Sequence, residues 1–439
     1  MEFKTKLTEY ITDFQQQGYF NGSLLVADTT GILLEQSFGF ASVELEIKNT
    51  NETKYLIGSL TKAFTSMAVL ILENCGSLNI TDTISNYIPD FPNGEKITLY
   101  HCMTCTSGIP DFVDFDNFWE ASMRLSWTLD EIIASFKDLP LDFEPGTQFS
   151  YSTSGYLLLT KIIEIVSGKN YATYMEEMIF APLDMHNTGC SNETDIIPML
   201  ASNYSFWEKE IQTPQTNLSF PLGGYGLYST IHDMYLWDQA IRTHQLIPEH
   251  LTKLMFTIHK DSYACGWDIT EIENRICRQH FGNISGFVSS IKQFEEEDLT
   301  IIFLSNLDII PVTTITKEIA QLKFGREIPQ ILAQPQIVYY PSLNKLTGNY
   351  FTDQVQAFEI IAEHDELFII VPKLYEIDYK FKLKIIQSTE NRVLLRSEKI
   401  NETILFVFRT DGEFKKIIYT DYHRNSVAVA KQRFSIEKN

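Results

Sequence analysis

The chain has 439 residues, 44% hydrophobic, 13% aromatic and 21% charged, which is too rich in core formers for long disorder and too long for a single hydrophobic core. Its 57 acidic residues outnumber 35 basic ones, and a net charge of −22 repels polyanions, so nucleic acid is not expected as a partner. No apolar run approaches the ~20 residues of a membrane span, and MEFKTKLTEYITDF lacks the basic-then-apolar order of a signal peptide; a cytoplasmic protein is expected.

Residues 1–20 carry Leu7, Tyr10, Ile11 and Phe14 at helical spacing. Two β-rich runs then flank Asp28-Thr29-Thr30-Gly31, a hairpin signal. The segment 59–75, SLTKAFTSMAVLILENC, is apolar around most of its circumference, which predicts a helix buried in the core of a large domain, stopped by Gly76 in a left-handed conformation. Residues 80–200 read as helices and loops punctuated by Pro89, Pro92, Pro110, Pro145 and Pro182. Strand patterns return at ACGWDI, RQHFGNI, GFVSSIKQF and LTIIFLS. That order predicts a mixed α/β domain with an antiparallel sheet over 1–328. Pro329, Pro335 and Pro341 mark an expected linker over 329–341. Beyond it, evenly spaced strand runs predict a β-barrel or sandwich over 342–439.

Chemistry concentrates first at Ser59-Leu60-Thr61-Lys62. Positions i and i+3 share a helix face, so the lysine can reach the serine hydroxyl. A hydroxyl is a poor nucleophile until a base takes its proton, and burial lowers a lysine pKa toward that task. The free N–H groups of a helix start can stabilise an oxyanion. A snorkelling surface lysine would not sit on a helix that is apolar all round. A second cluster, Glu144 to Thr153, places Tyr151 just before the apolar run from Gly155 to Val166; cationic neighbours would lower its pKa and let it shuttle protons. A third, Gln279-His280-Phe281-Gly282-Asn283, lies on a predicted strand, where Gly282 permits close approach by a ligand and His280 could donate to substrate or to Tyr151. Cys75, Cys102, Cys105, Cys190, Cys265 and Cys277 read as reduced thiols. Cys102-x-x-Cys105 has no second C-x-x-C or nearby H-x-x-x-H to complete four ligands, so neither metal nor cofactor is expected.

Together Ser59-Leu60-Thr61-Lys62, Tyr151-Ser152-Thr153 and His280-Phe281-Gly282 resemble the three ordered motifs of the serine β-lactamase superfamily, in its class C β-lactamase, D-alanyl carboxypeptidase and esterase branch. The similarity extends through FNGSLLVAD, the run 56–92, EPGTQFSYSTSGYLLL, APLDMHNTG and GGYGLYSTIHDMYLW, over roughly residues 15–325. From LNKLTGNYF onward the chain is similar to the lipocalin-like barrel that follows this domain in some members. The resemblance implies an antiparallel sheet flanked by helices with an all-helical region, and a small C-terminal all-β barrel. It implies Ser59 as the acylated nucleophile, Lys62 and Tyr151 as the proton-transfer pair, and His280 in the place of the third motif's cation. Backbone N–H groups of Ser59 and Asn283 become the oxyanion hole, with Thr153 and Gly282 beside the substrate.

Two positions depart from the family pattern. Thr153 replaces an asparagine that bonds a substrate amide, and a hydroxyl offers less than an amide there. Cys105 stands where histidine is usual. His280 in place of lysine is common in the branch, but it weakens binding of a substrate carboxylate at neutral pH. The expected activity is a serine acyl hydrolase on a small ester, amide or peptide. The alternatives are a β-lactamase or D-alanyl carboxypeptidase, and a non-catalytic binding protein that has kept the fold. The residues leave the oligomeric state open.

Overall fold

The computed structural model describes residues 2–16, 20–328, 343–353, 355–373 and 378–432. The hairpin forms where its turn chemistry puts it. Asp28 Oδ1 accepts from Thr30 N at 2.9 Å, Gly31 takes a φ of +100°, and strands Gly22–Asp28 and Gly31–Phe38 fold back on each other. They join four late strands in a six-stranded antiparallel sheet ordered Asp268–Ile272, Arg275–Ile284, Phe287–Phe294, Leu299–Ser305, Gly22–Asp28, Gly31–Phe38. Phe287–Phe294 and Leu299–Ser305 are buried along their whole length because both sheet faces are covered. Helices Glu2–Gln16 and Val312–Lys323 pack on one face; the helical body, with Ile231–Arg242, packs on the other.

The nucleophile segment behaves as its all-round apolarity predicts. A single 3₁₀ turn, Gly58–Leu60, leads into helix Thr61–Asn74, buried from Thr61 to Leu72. Gly76 closes it at φ +68°, its N–H bonded to Glu73 O and that of Ser77 to Leu72 O. One strand starts later than its pattern suggests. ACGWDI is extended only from Asp268, because Gly266 (φ +76°) turns against the backbone of Lys62, where a Cβ would come within 2.7 Å.

The C-terminal strands form a closed barrel rather than a sandwich. Eight strands from Gly348–Thr352 to Ser426–Lys431 each pair antiparallel with the next, and the last pairs with the first through Tyr350↔Lys431. Alternation sets the inside: Ile404, Phe406 and Phe408 point inward along Thr403–Phe408. The proline-marked linker at 329–341 lies outside the described residues.

The barrel is tied closely to the body. One apolar cluster runs from Leu7, Phe14 and Ile315 into Tyr350, Phe358 and Phe381. Trp207, on the hairpin Tyr204–Trp207/Lys209–Gln212, pairs in parallel with Lys380 of the barrel strand Tyr379–Thr389. Lys380 Nζ reaches Glu208 at 2.6 Å and Glu363 at 2.7 Å, and Arg424 Nε meets Glu318 at 3.0 Å.

Candidate active site

The three motifs converge on one cleft of about 700 Å³, lined by Ser59, Tyr151, Thr153, His280, Phe281 and Asn283 among others. Backbone crowding builds it. Gly58 sits at φ +54°, where a Cβ would come to 2.7 Å from Asn283 N. Gly282 faces Ile57 O, which a Cβ would approach to 2.1 Å. Both glycines therefore serve the approach of two backbone segments, the nucleophile turn and the strand Arg275–Ile284. The side-chain space at Gly282 is taken by the Ile57 carbonyl and the Ser289 hydroxyl. The result sets Asn283 N beside the Ser59 turn, where the oxyanion donors are expected.

Lys62 is fully buried and its Nζ donates to Ser59 Oγ at 3.1 Å and to Gly224 O at 2.9 Å. Its ammonium lies over the rings of Tyr151 at 4.8 Å and Tyr156 at 5.5 Å. Burial lowers its pKa to about 8, against the opposing pull of Asp111 and Cys105.

Tyr151 shows 37% of its surface to the cleft, while its hydroxyl lies inside and shares a hydrogen bond with the Ser59 side chain. Burial of that oxygen pushes the phenol well above its ordinary value; Cys105 and Asp111 add to the rise and the Ser59 bond opposes it. The expected lowering by a nearby cation does not occur: burial dominates, and Lys62, at about 8, is already neutral where the phenol would titrate. Tyr151 therefore holds its proton at neutral pH.

His280 also departs from expectation. Its Nδ1–H donates to Phe281 O at 2.7 Å, which leaves Nε2 to accept from the Tyr263 hydroxyl at 3.1 Å. Burial, with Lys62 nearby, drops its pKa to about 4. It is a neutral imidazole and supplies no cation, and its hydrogen-bond partner is Tyr263 rather than Tyr151. Thr153 opens helix Thr153–Ser167 on the cleft wall, its N–H donating to Asp111 Oδ2 at 2.9 Å.

A family model described as Beta-lactamase matches residues 7–318. The chain belongs to the Beta-lactamase family. Penicillin-binding protein 4* of Bacillus subtilis (strain 168) is 25% identical over 432 residues, covering 92% of this chain and 93% of that one, so it spans the barrel as well. The putative penicillin-binding protein PbpX of the same strain is 30% identical over 259 residues, 58% of this chain and 64% of its own. Among solved structures, the octameric penicillin-binding protein homologue from Pyrococcus abyssi superposes with a TM-score of 0.66 at 21% identity, over 97% of this chain and 99% of that one. The D-amino acid amidase from Ochrobactrum anthropi SV3 complexed with D-phenylalanine gives 0.63 at 21% identity, over 74% and 100%. At these identities the structural likeness speaks to the fold.

Two residues of this Beta-lactamase-family site were not visible in the motifs. Asp111 lines the cleft, and burial raises its carboxyl to about 6. An acid between the apolar Ile109-Pro110 and Phe112-Val113 was the available signal. Tyr263, which bonds His280 Nε2, comes from a loop with no pattern of its own. Cys105 is a free buried thiol at φ +53°, its pKa pushed up to about 12 by burial. Among the described residues no three His, Cys, Asp or Glu side chains are grouped to hold a metal ion.

Proposed function

We propose that the protein is a serine acyl hydrolase acting through an acyl-enzyme on a small amide, peptide or ester, with Ser59 as nucleophile and Lys62 as its base. The observation that carries this reading is the buried Lys62 ammonium, hydrogen-bonded to Ser59 Oγ and lowered to about 8. At pH 7 roughly one lysine in ten is then a neutral amine, against about one in 2,500 at the free-lysine value. The neutral amine takes the Ser59 proton, and Oγ attacks the substrate carbonyl. The N–H groups of Ser59 and Asn283 stabilise the oxyanion. Tyr151, which stays protonated, passes its proton to the leaving group and recovers one from the Lys62 ammonium. Water repeats the sequence on the acyl-enzyme.

An amide or short peptide fits the cleft wall. Strand Asp268–Ile272 reaches along its neighbour only as far as Gln279, and among the described residues no strand pairs with His280–Ile284 on that side, which leaves an edge beside Ser59. An extended substrate chain can add to such an edge through main-chain hydrogen bonds. The penicillin-binding relatives and the D-amino acid amidase support carbonyl substrates of this kind. The test is intact-mass analysis after incubation with a fluorophosphonate and with nitrophenyl acetate. Wild-type protein should gain one adduct and Ser59→Ala none. An adduct on Ser59→Ala would place the nucleophile elsewhere, and no adduct on wild type would favour a binding protein.

A further inference from the structure

A second buried lysine borders the same cleft and has no part in the acylation geometry. Lys292 lies on strand Phe287–Phe294 directly across from Gln279, only 4% exposed, and lines the cleft. Lysines are seldom buried without an ionic partner. Among the described residues, however, Lys292 forms no ion pair: its Nζ donates to the Gln279 amide oxygen. Gln279 Nε2 in turn donates to Asp268 Oδ2 at 2.9 Å, and Asp268 also accepts from the Ser262 hydroxyl. The nearest carboxylate is thus held off by an amide and is already engaged by two donors. An ammonium carries three N–H donors, and a single partner leaves two of them for a ligand.

Position tells what that ligand is. Gln279 is four residues from Asn283, about 13 Å along an antiparallel strand at ~3.4 Å per residue. Cross-strand pairing puts Gln279, Phe281 and Lys292 on one sheet face, while His280 and Gly282 face Ser59. The cleft therefore passes over the open strand edge, past the half-exposed Phe281 ring, to reach Lys292. His280 is neutral and offers an anion nothing. A chain carrying −22 repels anions, so any preference for one needs a local cation.

We infer that Lys292 forms a subsite for an anionic substrate group, a carboxylate carried about three or four extended residues from the reacting carbonyl. This deepens the hydrolase reading and rests on it. Lys292 would be the residue by which the cleft selects acids over neutral analogues of equal length.

Binding and turnover separate the two claims. The probes are p-nitroanilide monoamides of α,ω-diacids with four to twelve carbons, each beside an analogue ending in methyl. Calorimetry on Ser59→Ala protein reads binding without reaction. At the best chain length the acid should bind about 10- to 100-fold tighter than its neutral analogue, the range of a charge-assisted hydrogen bond. Adding Lys292→Met should abolish that difference and leave the neutral amide within about twofold. Gln279→Glu, which sets a carboxylate against the ammonium without emptying its place, should do the same, so the outcome does not hang on one buried variant folding. The inference is overturned if acids bind no tighter than neutral amides at any length, or if their advantage survives both substitutions. Failure of Ser59-intact protein to turn over the matching p-nitrophenyl monoesters would instead overturn the hydrolase reading.

Discussion

Replacing Lys62 by methionine should abolish acylation and yet stabilise the protein at neutral pH. The fall of the Lys62 pKa from 10.5 to about 8 means that the fold holds a charged amine against its preference. At about 1.36 kcal/mol per pKa unit, that costs roughly 3.4 kcal/mol. The sign follows from proton counting. Between pH 8 and 10.5 the unfolded chain binds a proton that the folded protein has released, so stability rises with pH across that window. Below pH 8 the cost is present in full. Methionine keeps much of the stem and removes the charge, but it strips Gly224 O and Ser59 Oγ of their donor, a loss of about 1 kcal/mol for each bond. Lys62→Met should therefore be more stable than wild type by about 1 kcal/mol at pH 7, and the advantage should vanish or reverse above pH 10.5. Urea unfolding of both proteins at intervals from pH 6 to 11 measures this. Equal stability at pH 7, or a gap that does not change with pH, would refute the claim that the base is tuned by burial.

Three further predictions follow from the same geometry. Tyr151→Phe removes the proton donor while keeping the ring under Lys62, so single-turnover acylation by a p-nitroanilide, whose amine must be protonated to leave, should fall about 10²- to 10⁴-fold; near wild-type rates would make Tyr151 a packing residue. Gly282→Ala would drive a Cβ into Ile57 O, displacing the nucleophile turn, and should cost about 10²-fold or more in acylation rate; unchanged kinetics would contradict the close backbone approach. Cleavage at a protease site engineered between residues 328 and 343 should leave the barrel fragment co-eluting with the body on size exclusion, because the two share one apolar cluster and the Lys380 and Arg424 ion pairs; elution as separate fragments would show two independent units.

Local physics made much of this protein legible in advance. A helix apolar on every side can only be buried, so the lysine within it had to be a desolvated one, and Ser59 one turn away was its natural partner. The hairpin at Asp28–Gly31 and the stop at Gly76 were equally readable, since each depends on the backbone preferences of one or two residues. The strand carrying His280 and the alternation of the C-terminal strands belong to the same class of short-range signal.

What tertiary structure decided were the charge states and the reasons for the glycines. Whether His280 is a cation depends on the depth of its pocket and on Lys62, which does not adjoin it in sequence. Tyr151 and Lys62 lie 89 positions apart, and only packing brings the ammonium over the ring and buries the phenol, which holds its proton. The space beside Gly282 is taken by the Ile57 carbonyl, which comes from a distant segment of the chain. Desolvation and close approach are sums over neighbours brought in by the whole fold, and no window of sequence contains those neighbours.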